Sequence, residues 1–534
     1  MIADAIVIGS GPTGVSAAKA LLSKGHSVLM LDVGYKLDNS IASRVQEIRS
    51  TPVKLWDEDL WSPISSSVKL DSGGIPEKLV FGSDFPFRAP PHLKCSYKGV
   101  SAHISHAFGG LSNAWGANIM PLEEKDFDGW PFGAKDLAPY YKRVVSDLFV
   151  SARRDLLDEI YPFYEGKETH PLRLSQQAEL LLRDMEKSKD ALIQSGIFFG
   201  QARLAVKAGL GEGKGCIYCG KCLYGCPYGY IYTSSSAVES LKEEDNFTYA
   251  PGYFVEKIEE SGEVCRIHCR RLRSESKEAF FARKVFVGAG SIASTRMILE
   301  SAGIFNEAIE IKESQYFLLP VLRLKGVRNV SNEPLHTLAQ LSIDILDSSI
   351  SPHLIHILVY TYNDLYDRAL QNALRLLPNI IFKPLSGIIL SRLMAFQGYL
   401  HSDDSPSFFA ELLPPQNNTR KLLLYAEEHN GRNREVVNKV LRKLFSHFNA
   451  FKMLPIFPSL YLGAPGKSYH AGGSFPMVPE GKASDMPYYS DHLGRPLGYK
   501  NVHLVDASCF PSVSATNVTL TAMANSYRIA EMAE

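Results

Sequence analysis

No charge of either sign prevails in this sequence: 57 lysines and arginines meet 57 aspartates and glutamates, and the formal net charge is zero. Nucleic-acid-binding domains ordinarily carry a basic footprint, so that class of partner is set aside. Long hydrophobic runs are missing too: none reaches the ~20 apolar residues of a membrane-crossing helix. The N-terminus, MIADAIVIGSG, lacks the basic stretch and cleavage site of a secretory leader. That predicts a cytoplasmic protein. There is no internal repeat and no low-complexity tract. Cysteine is scarce and unevenly placed. Of eight, Cys216, Cys219, Cys222 and Cys226 fall in one run, while Cys95, Cys265, Cys269 and Cys509 lie apart. A disulfide framework would spread its cysteines; this clustering points to a metal site in a reducing compartment.

What is present is a chain of 534 residues, 45% hydrophobic and 21% charged, ordinary for a soluble protein of about two to four domains. It opens with a short apolar run, residues 5–8, suited to a buried parallel strand. Gly9-Ser10-Gly11-Pro12-Thr13-Gly14 follows, then a helical stretch closed by Gly25. A second strand ends in Asp32, 23 residues after the first glycine. The residue types have physical reasons. Gly9 permits a tight turn, Gly11 lets the backbone approach a pyrophosphate, and Gly14 lets the helix pack on the strand. The helix N-terminus presents free N–H groups to phosphate, and Asp32 suits ribose hydroxyls. The motif predicts a dinucleotide site without choosing between FAD and NAD.

Residues 35–100, rich in Ser, Pro and Asp, predict loop without firm elements. In HAFGGLSNAWGAN, residues 106–118, Gly109 and Gly110 allow close backbone approach, Asn113 offers an amide and Trp115 a flat face. Asp136 predicts the N-cap of a following helix, and residues 172–195 read as helical. Residues 247–290 read as strands. They end in VFVGAGSIAST, where Gly288 and Gly290 make a second close-approach turn before a helix. Residues 313–345 and 394–428 alternate as strands of a larger sheet do. Cys265 and Cys269, four apart on a strand, share a face and read as core.

The cysteine run is C-x2-C-x2-C-x3-C, followed by Pro227, which is ferredoxin spacing. Gly215, Gly220, Gly225 and Gly229 let the loop bend around a metal–sulfur cube. Structural zinc usually takes two separated Cys/His pairs. The run therefore predicts an iron–sulfur cluster, 4Fe–4S in its full form, with 3Fe–4S or zinc as the alternatives. With one run in the chain, Cys226 closes the same cluster or a distant cysteine does.

Taken together and in order, the N-terminal glycine motif, the GGLSNAW turn, the VFVGAGSIAST turn, HAGGSFPM at 470–477 and VDASCFP…TNVTLTAMANSYRIAE at the C-terminus resemble the glucose–methanol–choline (GMC) oxidoreductases. The resemblance implies an α/β fold: a Rossmann-like FAD-binding domain from discontinuous segments, 1–145, 206–302 and 461–534, plus a sheet-and-helix substrate domain, 146–205 and 303–460. It implies that Gly9, Gly11, Gly14 and Asp32 hold the ADP half of FAD. Gly110, beside Gly109, and Asn113 lie near the isoalloxazine or ribityl chain. Gly288 and Gly290 approach closely, and Asp506 touches the ribityl and pyrophosphate region. His470 is implied as the base and Asn517 as its partner on the substrate oxygen. The segment departs from the family at Pro476, where many members carry Arg before the Met. The cysteine run resembles the element of Fe–S-containing FAD catalytic subunits of bacterial sugar and alcohol dehydrogenases.

These readings combine into one expectation. A hydroxyl of a sugar, polyol or long-chain or lipid-linked alcohol gives a proton to His470 and a hydride to flavin. An Fe–S cluster then relays single electrons to a ferredoxin, cytochrome or quinone-linked carrier. A ferredoxin-fed reductase running in the opposite direction and a non-catalytic redox sensor are the competing readings. Residues 365–396, apolar with interspersed Arg and Lys and with Pro378 and Pro384 as breaks, read as a lid of short helices; the sharper alternative is a peripheral membrane contact.

Overall fold

The computed structural model describes residues 2–65, 79–209, 214–373, 378–417, 419–427, 431–479 and 486–533. Ala3–Ile8, buried along its inner half, is a central strand. It pairs in parallel with Val28–Asp32 on one side and Lys277–Val287 on the other. Phe247–Pro251 and Val502–Leu504 extend the parallel set at its two sides. The first half of Lys277–Val287 also begins an antiparallel meander with Val264–Arg271 and Tyr253–Ser261. Between the first two strands runs the helix Pro12–Ser23, with proline in its first turn, and Gly25, at φ +83°, turns the chain back. The C-terminal helix Val518–Met532 packs on that helix, and Ser526 Oγ donates to the Thr13 carbonyl at 2.7 Å. This is the expected Rossmann-like domain drawn from separate segments.

A second sheet is antiparallel. Its order is Met453–Pro455, Tyr316–Arg323, Leu393–Tyr399, Ile355–Tyr360, Leu341–Ile345, Ile197–Gln201. Alternate residues Phe317, Leu319 and Val321 are buried against a cluster that includes Val436, Val440 and Leu444 of the helix Arg432–Ser446. A third sheet joins Ala471–Gly472, Ala308–Glu313, Phe408–Gln416, Thr419–Tyr425 and Leu93–Lys98. Arg420 fastens this sheet to the first domain: it donates to Glu300 at 2.7 Å and to Glu256 at 2.7 Å, and Glu256 also accepts from Arg270 at 2.9 Å. Pairing of this kind offsets the cost of burying these charges.

Three expectations are corrected, and a fourth is refined. Residues 35–100 carry the helices Asn39–Ser50 and Glu58–Ser65 and the strand Leu93–Lys98. The first helix is polar nearly all round, burying Ile48 alone, and the strand's partner, Thr419–Tyr425, is remote in sequence. Asp136 is not an N-cap. It lies in the first turn of Ala134–Val145, and its carboxylate accepts from Gly133 N, the cap residue, at 2.9 Å. Residues 172–195 are helical as expected, in two helices, Gln176–Glu186 and Lys189–Gln194. In the 365–396 stretch, Pro384 sits inside the helix Asn379–Leu390 and does not break it, and Leu393–Tyr399 is a strand. Residues 374–377 of that stretch lie outside the described residues.

Candidate active site and cysteine cavity

The glycine turn closes on itself more tightly than any side chain allows. A Cβ on Gly14 would meet Gly9 O at 1.9 Å, and one on Gly9 would meet Gly288 O at 2.6 Å. On Gly110 it would approach Gly11 Cα at 3.2 Å. Gly11 is different: its nearest contact would be Gly288 O at 4.0 Å, so its outer side is open. The turns 9–14, 109–110 and 288–290 thus converge into one backbone-lined cradle. The chemistry suits a group with phosphates and little tolerance for side chains.

Polar side chains around the cradle hold it in shape. Asp32, at the end of its strand, accepts from the Ser10 hydroxyl and from Tyr249 OH at 3.0 Å. Ser10 Oγ in turn accepts from Gly109 N at 2.8 Å. Burial pushes the Asp32 carboxyl up to about 7. Asn113 Nδ2 donates to Phe108 O at 2.9 Å and to Gly110 O at 2.8 Å, bracing the double-glycine turn. Asp506 accepts from Gly290 N at 2.9 Å, from the Ser294 hydroxyl, and from Ser508 N at 3.0 Å and Oγ at 2.6 Å. These contacts of Asp506 lock the Gly290 turn.

His470 and Asn517 meet. Asn517 Nδ2 lies 3.0 Å from His470 Nε2. Asn517 is the N-cap of the helix Val518–Met532, yet its side chain makes no capping bond. An N-cap asparagine ordinarily accepts from the helix's own N–H groups; this one turns to the histidine instead. His470 is 8% exposed, and its Nδ1 and Asn517 Oδ1 are buried atoms without a hydrogen-bond partner among the described residues. Burial, with His356 adding to it, lowers the imidazole to about 3, so the ring is neutral and offers a lone pair. Tyr469, just before it, sits at φ +62°. That is a region few bulky residues occupy, and such strain gathers at functional sites.

The sequence did not single out what surrounds this pair. The ring of Tyr399 lies 4.8 Å from that of His470 and 5.9 Å from that of Tyr316. Behind Tyr399 is a fully buried pair, His356 Nδ1 to Asp344 Oδ1 at 2.6 Å. The tyrosines alternate with apolar residues on strands, so they read as core; only the pairing of strands brings them to the histidine.

Cys216, Cys219, Cys222 and Cys226 line one cavity together with Leu172, Val206, Ile231, His336 and Leu338. None of the four is in a disulfide, and no three of their sulfurs come within 4.8 Å of one another. Burial and the neighbouring Cys222 push Cys219 up to about 12, and Cys216 moves in the same direction for the same causes. Cys265 and Cys269 are buried in the sheet and stand apart from this group, as their spacing predicts. One other constellation escaped the sequence: Asp126, His353 and His401, whose ligand atoms all lie within 4.8 Å. Its two rings are stacked at 3.7 Å and 14°, and His401 Nδ1 accepts from Asp403 N at 3.1 Å. Near-parallel rings do not aim both lone pairs at one ion, and the accepting Nδ1 leaves Nε2 protonated. As arranged, it is a stacked polar cluster.

No protein-family model matches the chain, and no curated protein matches it. Among solved structures it is similar to the crystal structure of pyridoxine 4-oxidase from Mesorbium loti. The identity is 12%, the alignment covers 99% of this chain and 98% of that one, and the TM-score is 0.60. The two chains share a fold along nearly their whole lengths.

Proposed function

We propose that this chain is an FAD-dependent oxidoreductase of the GMC type that oxidises a CH–OH group and passes electrons singly through an iron–sulfur cluster to an external carrier. The observation that carries the first half is the His470–Asn517 contact of 3.0 Å, with an unpartnered atom left on each side chain. A substrate oxygen that takes the place of their mutual contact would accept the Asn517 N–H and donate its own proton to His470 Nε2. Burial keeps the ring neutral, so it holds a lone pair for that proton. Asn517 fixes the oxygen, and with it the direction of the carbon's hydrogen.

The cradle of Gly9, Gly11, Gly14, Gly109, Gly110, Gly288 and Gly290 would hold FAD, with Asp32, Asn113 and Asp506 keeping it in shape. The open side of Gly11 supports that fit. When bound, FAD supplies a hydride acceptor. The similarity to a structure named as a pyridoxine oxidase supports alcohol oxidation over the other uses of a dinucleotide fold.

Cys216, Cys219, Cys222 and Cys226 would hold the cluster, which supplies one-electron transfer. Two features support it over zinc. A zinc tetrahedron with bonds of ~2.3 Å brings its sulfurs within about 4 Å of one another, whereas no three of these sulfurs lie within 4.8 Å. The wall is largely apolar, as suits a group shielded from water. Cys219, pushed up to about 12, does not ionise near neutrality unless a metal takes the proton's place. A second reading, a flavin oxidase that uses oxygen directly, is favoured by the neighbour's name alone. Anaerobic mixing with alcohols, followed by addition of oxygen or of a one-electron acceptor, tests both. Reoxidation by the acceptor far faster than by oxygen supports the dehydrogenase, and the converse supports the oxidase. A flavin that bleaches only with reduced ferredoxin supports the reverse, reductive direction.

A further inference from the structure

We propose that His336 donates a ring N–H to the metal–sulfur group held by Cys216, Cys219, Cys222 and Cys226, setting its reduction potential. This rests on the iron–sulfur reading above. His336 is 2% exposed, and both its ring nitrogens are buried without a partner among the described residues. It lines the same cavity as the four cysteines. A neutral imidazole carries one N–H and one lone pair, and burying either unmet is unfavourable. Besides the cysteines the wall is Leu172, Val206, Ile217, Gly225, Ile231 and Leu338, with Tyr228 and Tyr230, whose hydroxyls bond to neither ring nitrogen. The acceptor must therefore lie inside the cavity, where the sulfur atoms are.

The backbone around His336 is fixed as a positioning residue requires. Leu335 forms a parallel bridge with Cys219, which sets this segment directly beside the cysteine loop. Gln340 Nε2 donates to His336 O at 2.6 Å. Arg173 Nη2 donates to Pro334 O at 2.6 Å, while its guanidinium lies 4.5 Å over the ring of Tyr218, inside the cysteine run. The histidine is thus held from both sides against the loop it faces. Hydrogen bonds to cluster sulfurs are one of the protein's main means of tuning potential, and a donated N–H stabilises the reduced, more negative state. The four cysteines already supply a full ligand set, so the histidine acts on the sulfurs and not as a fifth ligand.

The test uses the full chain purified without oxygen. Iron and acid-labile sulfide are measured first, and the cluster is then titrated with EPR detection in the parent, His336→Leu and His336→Gln. The expected result is equal iron content in all three, a cluster potential shifted downward in His336→Leu, and a return toward the parent value in His336→Gln, whose amide restores an N–H. An intact cluster whose potential does not move in His336→Leu overturns the proposal. So does a change of cluster type or loss of iron in both variants, which would make His336 a ligand. A parent that holds flavin but no iron instead overturns the cluster reading itself. If His336→Leu fails to fold, pulsed EPR of the parent grown on isotope-labelled histidine decides. Weak nitrogen coupling supports the hydrogen bond; strong coupling or none overturns it.

Discussion

Asn517 Nδ2 rests 3.0 Å from His470 Nε2 although the two residues stand 47 positions apart, one on a two-residue strand's edge and one at a helix N-terminus. The helix forgoes a capping bond so that this contact can form. That trade makes sense if the amide has work outside the helix. Replacing His470 by Ala should lower kcat/KM for alcohol oxidation by about a hundred- to ten-thousand-fold while thermal stability stays close to the parent's. Asn517→Ala should cost less, about ten- to a hundredfold, because it removes positioning and leaves the proton acceptor. Steady-state kinetics on both variants checks this. Full activity in His470→Ala would contradict the assignment.

The glycine turn gives a contrast between two neighbours. Gly14→Ala puts a Cβ against Gly9 O, where 1.9 Å is available, so the protein should lose stability and yield. Gly11→Ala meets nothing nearer than 4.0 Å. It should fold with an unchanged melting temperature and bind FAD more weakly. Thermal melts of the apoproteins and flavin titrations separate the two effects.

Much of this was legible in the sequence for a local reason. The strand, glycine turn, helix, strand and acid at the N-terminus lie within one short stretch, and each residue type answers a local constraint. The cysteine run is legible in the same way, since its spacing alone brings four thiols into one cavity. His336 was not legible. It has no motif, and only the bridge between Leu335 and Cys219 brings it to the loop. Tyr399 and the His356–Asp344 pair were hidden likewise, because strand register decides what faces His470. The helix Asn39–Ser50 was missed because it buries one residue and so shows little apolar periodicity.

The cysteine quartet should carry about four irons per chain if the full cube forms. Replacing Cys222 with Ala should lower the iron content and abolish the cluster's EPR signal while leaving flavin bound. Metal and sulfide analysis of protein purified without oxygen checks this. One zinc per chain and no iron would instead return the site to the zinc alternative.

Asp126 offers a pH test. Its carboxyl is buried, Oδ2 has no partner among the described residues, and burial, with Glu123 adding to it, holds it up to about 7. A carboxyl raised above its unfolded value contributes stability below the unfolded pKa, near 3.9, and that stability is lost as pH rises through about 7. Asp126→Asn does not ionise. It should therefore melt higher than the parent at alkaline pH, by up to roughly 4 kcal/mol for a three-unit shift, with the gap closing toward about pH 4. Melts across that range read the difference. A gap that widens on acidification would contradict the burial argument.

One measurement tests the proposed chemistry most directly: the absorption spectrum of the protein, purified without oxygen, before and after an alcohol is added. A panel of sugars, polyols, long-chain and aromatic alcohols serves as the probe. The predicted result is a flavin spectrum that at least one of them bleaches, together with a new EPR signal from a reduced cluster, and both changes slowed by about a hundredfold or more in His470→Ala. A protein that holds flavin which no alcohol reduces, or that holds none after reconstitution with FAD, would contradict it.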